Sequence, residues 1–338
     1  MKTLIFQHKL NKFMSFYSPI IAVLVTFLLT RFLLSNKVTN TMQDLPNERS
    51  LHSAPVPRIG GVSLIAGVLC GWALMLNALV WWVVLPLLIL FAVSLLDDMR
   101  SLPVKQRLLA HLLAAAIMVA GSGLFVQQGA VIAMVVLLFA VWMTNLYNFM
   151  DGSDGLAGGM ALCGFGTYGI AALLSHNPTL ALLNFCVAAA AASFLYYNFH
   201  PAKIFMGDSG SIPLGFLAAA MGLLGWQQGS WAVWFPLLVF SPFIVDASIT
   251  LLKRSLRGAK VTEAHREHYY QRLILLGWGH RNVALAEYVL MLAVGSSALW
   301  ALNNPLPWQM FLAWGAVYAC LMLLLDARWK NFKRGQND

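Results

Sequence analysis

Runs of about 20 predominantly apolar residues recur from one end of this sequence to the other, and each is long enough to cross a bilayer as a helix. That pattern outweighs length, since 338 residues would otherwise suggest about two soluble domains. Charged side chains make up only 10% of the chain, where a soluble domain carries about 25%. They are too few to solvate a globular surface of this size. A soluble enzyme, a disordered chain and a disulfide scaffold are excluded. The fold class is all-α, a polytopic integral membrane protein. Cys70, Cys163, Cys186 and Cys320 lie in apolar runs with no CxxC spacing and read as inert.

Apolar windows and the breaks between them give about 11 transmembrane helices, near 16–34, 60–79, 81–96, 108–126, 130–145, 156–174, 179–197, 212–226, 231–252, 283–302 and 308–325. The first is expected to be a span and not a cleavable signal peptide, because no small-x-small site follows it. Loops near 77–80, 127–129, 175–178, 227–230 and 303–307 hold no Lys, Arg, Asp or Glu. All basic residues except Lys2, Lys9 and Lys12 fall in the alternate loops, the C-terminal tail or the end of the first span. The positive-inside rule then places the charged loops in the cytoplasm, the N-terminus out and the C-terminus in. Those three lysines argue the other way and are outnumbered.

Acids follow the same side. Asp44, Glu48, Asp97, Asp98, Asp151, Asp154, Asp208, Glu263, Glu267 and Glu287 lie in or beside those loops, Glu287 at the edge of the span at 283–302, Asp326 and Asp338 lie in the tail, and only Asp246 falls well inside a span. A transporter usually needs ionisable groups near the midplane. Here the chemistry gathers at one face. The net charge of +9 does not point to nucleic acid, because the basic residues form no stripe interleaved with stacking aromatics. The chain reads as one domain, 1–338, with cytoplasmic active-site loops near 35–59, 97–107, 146–155, 198–211 and 253–282.

Four polar clusters stand out on that face. Asp97 and Asp98 end a span side by side; adjacent carboxylates repel, so keeping both suggests a cation or two separate tasks, against the plainer reading of an interfacial pair neutralised by Arg100 and Lys105. In the second, Asn145, Asn148, Asp151 and Asp154 recur every three residues among glycines, ahead of a helix start that suits an anion such as a pyrophosphate. A polar turn with small-residue packing is the bland alternative. In the third, Asn198 and Asp208 are hard oxygen donors of the kind Mg²⁺ takes alongside substrate phosphates, and Phe205 is either an interfacial aromatic or a stacking surface for a base. The fourth, HREHYYQRL, holds His265 and His268 with basic neighbours Arg266 and Arg272, which favour phosphate over a divalent metal. Together these describe phosphoryl or phosphosugar transfer between a soluble nucleotide donor and a membrane lipid.

The segments DLPNERSLHSAPVPRIGG, LLDDMRSLPVKQR, NLYNFMDGSDGLAGG and NFHPAKIFMGDSGS, in this order and spacing, resemble the polyprenyl-phosphate N-acetylhexosamine-1-phosphate transferase superfamily. The resemblance covers about residues 40–285. It implies an Mg²⁺-dependent enzyme of the bacterial cytoplasmic (inner) membrane with its active site facing the cytoplasm. Such an enzyme takes a UDP-N-acetylhexosamine donor and an undecaprenyl phosphate acceptor, releases UMP, and starts a lipid-linked cell-surface polysaccharide. Carried over by residue, Asp97 and Asp98 match the paired aspartates of the lipid phosphate and catalytic centre, and Asp208 matches a magnesium ligand. Asn198 matches an Asn of the same site. Asn148, Asp151 and Asp154 match the nucleotide-holding segment, Phe205 an aromatic that stacks on uracil, and Lys105, at looser spacing, the basic residue after the aspartates. Arg266 is a further candidate substrate contact.

One loop departs from the resemblance. Relatives commonly read HxHH there, and aligning back from Gly277, His280 and Arg281 puts His268 on the first His but Tyr270 and Gln271 on the other two. His268 is therefore a catalytic candidate, the sugar stays open, and the pentapeptide-transferring branch is disfavoured. A non-catalytic lipid-linked-sugar flippase is the rival reading, which charged residues deep in several spans would favour. A homodimer is a further partner assignment that the sequence leaves open.

Overall fold

The computed structural model describes residues 15–35, 42–44, 55–260, 265–303 and 307–335. Lys2, Lys9, Lys12, Glu48, Glu263, Asp338 and most of the 35–59 loop lie outside the described residues. The protein is helical throughout, as its apolar runs require: a backbone in lipid must satisfy its own hydrogen bonds. The helices are α1 (Ser18–Ser35), α2 (Gly60–Trp72, continued by a 3-10 turn over Ala73–Ala78), α3 (Trp81–Arg100), α4 (Val104–Gly121), α5 (Leu124–Phe149), α6 (Leu156–Leu174) and α7 (Pro178–Asn198). After them come α8 (Asp208–Gln227), α9 (Trp234–Val239), α10 (Ser241–Leu256), the single turn α11 (Tyr269–Leu273), α12 (Gly279–Ala301) and α13 (Trp308–Arg334).

Ten helical segments among the described residues are long and apolar enough to span a bilayer, α11 and α12 counting as one. The span expected at 231–252 is not a single helix. It breaks at Phe240 into α9 and α10, because Pro242 at the start of α10 has no N–H to continue the ladder. The uncharged loop expected at 127–129 is also displaced. The chain turns at Ser122 and Gly123, and α5 then runs from Leu124 with only a kink at Gly129, whose φ is 84°. The last span continues past the expected end at 325 to Arg334, so Asp326 is helical.

Helix α8 is the hub. It packs against α2, α3, α5 and α6, and nearly every residue from Asp208 to Gly225 is buried. Small residues make such contact close. A Cβ at Gly61 of α2 would sit 2.2 Å from the Gly210 nitrogen, so α2 crosses the start of α8 backbone to backbone. Around this hub α1 packs on α2 and α7, and α6 packs on α7 and α12. Polar groups at depth are paired across helices: Thr30 with Ser63 at 2.6 Å, Tyr168 Oη to the Ala218 carbonyl at 3.1 Å, Trp72 Nε1 to the Leu183 carbonyl at 3.0 Å.

The one sheet among the described residues is a two-stranded hairpin, β1 (Gln43–Asp44) with β2 (Val56–Pro57), antiparallel. The 57–61 segment then braids with the chain leading into α8. Phe205 N donates to the Pro57 carbonyl at 2.8 Å, Gly60 N to the Phe205 carbonyl at 2.9 Å, and Gly61 N to the Met206 carbonyl at 2.7 Å. This braid carries Arg58 to the start of α8.

Candidate active site

Gly207, at φ 72°, turns the chain into α8 so that the first amides of the helix point at the end of α3. Asp98 receives them: Oδ1 accepts from Asp208 N at 3.0 Å and Oδ2 from Ser209 N at 2.9 Å. A carboxylate there balances the positive end of the helix dipole. Asp97 serves a different task. It accepts from Leu102 N in the α3–α4 corner and from Arg107 Nη1 at 3.1 Å. The two adjacent aspartates thus make separate sets of contacts.

Asp208 closes the knot. Its Oδ1 pairs with Arg58, which also lies 3.4 Å from Asp98 Oδ1, and its Oδ2 lies 3.4 Å from Arg107 Nη1. Burial alone would lower the Arg58 guanidinium, but the carboxylates of Asp208 and Asp98 outweigh it and raise it above the ordinary arginine value. Asp151, close by, is pushed well above the usual carboxylate range by burial; Arg58 opposes this shift, and Asp208 and Asp98 add to it. Four carboxyls share two guanidiniums. The arginines stand between the acids, and among the described residues no three acidic, His or Cys side chains converge as a metal-ligand set.

The opposite wall is α11 and the residues before it. Asp246 of α10, the acid expected within a span, accepts from Tyr269 N at 2.9 Å and Tyr270 N at 3.0 Å. It therefore caps α11, with His268 Nδ1 3.4 Å from its Oδ1. His268 is buried, its ring stacked between Phe149 and Tyr270 at 6.3 and 5.9 Å. The His265 ring lies 4.9 Å away. Burial, with His268 and Arg254 alongside, pushes His265 down to about 4. The departure from HxHH has a structural reason. Gln271 Oε1 accepts from His268 N at 3.2 Å, and Tyr270 Oη donates to the Phe149 carbonyl at 3.1 Å, where its neighbour Gly152 leaves room.

Between the walls lies a cavity of about 590 Å³. Its lining mixes the polar side chains of Arg107, His111, Asn145, Asn148, His265, His268 and Gln271 with the apolar ones of Leu108, Leu138, Val141, Trp142 and Leu251.

The remaining expected residues divide. Asn148 lines the cavity and accepts from Ser211 Oγ at 2.8 Å. Asp154 stands in a separate corner, pairing with His200 Nδ1 at 2.7 Å and accepting from Ala202 N at 3.2 Å, with His280 Nδ1 at 3.9 Å. Asn198 spends both ends of its amide on the loops, accepting from Gly155 N at 3.1 Å and donating to the Ile204 carbonyl at 2.9 Å. Phe205 is half-buried in the braid. Lys105 is exposed and Arg266 half-buried, and neither lines the cavity.

Sequence reasoning missed Arg58, Arg107, His111 and Asp246. A signal existed for two of them. Once Pro103 starts a helix, positions 104, 107, 108 and 111 share one face, and those four residues line the cavity while Lys105 points away.

The glycosyl transferase family 4 model matches residues 80–225, the stretch from α3 through α8 that carries the aspartate knot. A Bacillus subtilis (strain 168) protein described as a probable undecaprenyl-phosphate N-acetylglucosaminyl 1-phosphate transferase is 28% identical, over 83% of each chain. The undecaprenyl-phosphate alpha-N-acetylglucosaminyl 1-phosphate transferase of Yersinia pestis is 30% identical, over 71% of each. The phospho-N-acetylmuramoyl-pentapeptide-transferase of Staphylococcus epidermidis (strain ATCC 12228 / FDA PCI 1200) is 24% identical, over 85% of this chain and 99% of its own. On fold, site and likeness together, the chain belongs to glycosyl transferase family 4, closer to the N-acetylglucosaminyl 1-phosphate branch than to the pentapeptide branch.

Proposed function

We propose that this protein transfers an N-acetylhexosamine 1-phosphate from a UDP-sugar to undecaprenyl phosphate, releasing UMP, as the first step of a lipid-linked cell-surface polysaccharide. The observation that carries the reading is the cavity itself. Its lining joins the guanidinium and imidazoles of Arg107, His111 and His268, which suit phosphates, to Leu108, Leu138, Val141 and Trp142, which suit a lipid tail. A soluble donor and a membrane acceptor would meet at that junction.

The chemistry is in-line displacement. An oxygen of the lipid phosphate attacks the β-phosphorus of the donor, the bond to the bridging oxygen breaks, and UMP leaves with that oxygen. Arg58 and Arg107, now tied to carboxylates, are placed to take phosphate oxygens as charge builds on them. His268, held by Asp246 and the Phe149 ring, donates to a phosphate oxygen. Asp97 orients the nucleophile, while Asp98 fixes the start of α8 and with it Asp208.

Mg²⁺ is the cation proposed for this cluster. Asp208, Asp98 and Asp97 are the hard oxygen donors that would hold it, with Arg58 and Arg107 turned from these carboxylates to the substrate's phosphates. Bound there, the ion would neutralise the donor's diphosphate. If α9 and α10 cross together as one broken span, eleven spans put the two termini on opposite sides, and the positive-inside pattern of the loops then favours an N-terminus outside, a C-terminus inside and a site on the cytoplasmic side of the inner membrane.

The test is a radiolabel transfer assay on the purified protein with a panel of UDP-sugars and undecaprenyl phosphate, with and without EDTA. A lipid-linked diphosphosugar and stoichiometric UMP, lost in EDTA, are expected. No product with any N-acetylhexosamine donor would overturn the function, and undiminished product in EDTA would remove magnesium from it.

A further inference from the structure

A second pocket, of about 510 Å³, shares no lining residue with the first. It lies between the ends of α10, α11 and α13, and its charge is one-sided: Lys253, Arg257, Arg272, Lys330 and Lys333 line it with a single acid, Asp326, and of these only Arg257 has an acid elsewhere among the described residues, Glu267. Asp326 is heavily used. Lys253 pairs with it, and Arg272 Nη1 donates to it at 2.8 Å. Arg272 is buried between the rings of Tyr269 and Trp329, at 4.9 and 5.9 Å, yet its Nε has no hydrogen-bond partner. A buried guanidinium with an unused donor, among four further cations, asks for an anion.

The depth of the pocket says which kind. Trp308 and Trp329 are 21 positions apart on α13, or about 32 Å at 1.5 Å per residue, against about 30 Å for a bilayer's hydrocarbon core. They bracket the membrane as interfacial tryptophans do, so Trp329 and its neighbours Lys330 and Lys333 sit at headgroup level on the active-site face. Only Tyr318 of α13 is buried, so acyl chains can lie along the helix directly below the cations. Leu256 and Trp329 give the pocket apolar walls.

We propose that this pocket binds the phosphate of an anionic phospholipid from the surrounding leaflet, with Lys330 and Lys333 at its mouth and Arg272 at its floor. The consequence reaches the active site through one residue. Tyr269, whose hydroxyl accepts from Lys253 at 2.6 Å, is the neighbour of His268, so the headgroup and the imidazole wall share the turn α11.

The test needs no turnover, so it stands apart from the transferase reading. The full chain is placed in nanodiscs of phosphatidylcholine carrying a minor fraction of either brominated phosphatidylglycerol or brominated phosphatidylcholine. Tryptophan quenching is read, and the same titration on Trp329→Phe supplies the background of the other tryptophans. Quenching of Trp329 should be stronger with the anionic lipid. The exposed pair Lys330→Gln with Lys333→Gln should weaken that preference about fivefold per lysine. Equal quenching by the two lipids, or a preference unchanged in the double variant, would overturn the proposal. Loss of the preference on adding millimolar inorganic phosphate or glycerol phosphate would also overturn it, by assigning the pocket to a soluble anion.

Discussion

Across the main cavity, the wall built from α3 and α8 holds Asp97, Asp98 and Asp208 against Arg58 and Arg107, whereas the α11 wall offers His265 and His268 with one acid, Asp246, behind them. The first wall is made of carboxylates and guanidiniums held in close pairs. The second is made of imidazoles, one of which burial holds neutral. The difference teaches a division of labour. Fixed charges suit a diphosphate that is anionic throughout the reaction, while neutral donors can touch the same phosphates without adding cost when the site is empty.

The fixed-charge wall should be the more sensitive. Asp208→Asn removes the acid that both arginines reach, and transfer should fall about a thousandfold, with thermal unfolding near that of the wild type. Near-wild-type kcat in that variant would show that the knot is structural only.

Arg107→Gln should cost about a hundredfold, and Lys105→Gln about twofold or less, because only the former reaches Asp97 and Asp208. The reverse ranking would show that α4 turns the Lys105 face, and not the Arg107 face, toward the cavity.

On the imidazole wall, His268→Ala should lower kcat about 10- to 100-fold, the worth of one hydrogen bond to a charged oxygen. Restoring the common pattern with Tyr270→His and Gln271→His should not simply change sugar preference. It removes the Phe149 and His268 backbone bonds that hold α11, so a lower unfolding temperature should accompany any change in donor choice. An unaltered unfolding temperature would free those two positions for a specificity role.

The sequence makes these walls unequally legible. Asp97, Asp98 and Asp208 stand out because carboxylates beside apolar spans are rare, and rarity is visible without a structure. Their division of tasks is not, since Asp98 meets Ser209 across 111 positions and nothing local encodes that meeting. Arg107 was within reach through helical periodicity, and Asp246 was noticed but lacked its partner, the free amides of α11. The break at Phe240 was hidden because a proline in an apolar run reads equally as a kinked span. Asn198 and Asp154 carry the right chemistry at the right spacing, yet their polar atoms brace loops around His200 and Ile204, away from the cavity. Spacing locates a residue on the correct face, and only packing decides which way it points.

The smallest expected effect tests the neutrality of the second wall. His265 is held at about 4 against an ordinary 6.5, by burial first and by His268 and Arg254 after it. Between those two values the unfolded chain binds a proton on His265 that the folded chain refuses. Stability must therefore fall as pH drops below 6.5, with the loss complete only below about 4, and none of it is felt at neutral pH. His265→Gln removes that term and keeps a polar side chain of similar reach. The apparent Tm of both proteins, measured in one detergent at about pH 7.5 and about pH 5, should drop further for the wild type. Because His265 is half-exposed, solvent trims the difference to about 1–2 °C. Equal drops, or a larger one in the variant, would mean that His265 takes up its proton in the folded state, and the imidazole wall would then carry charge after all.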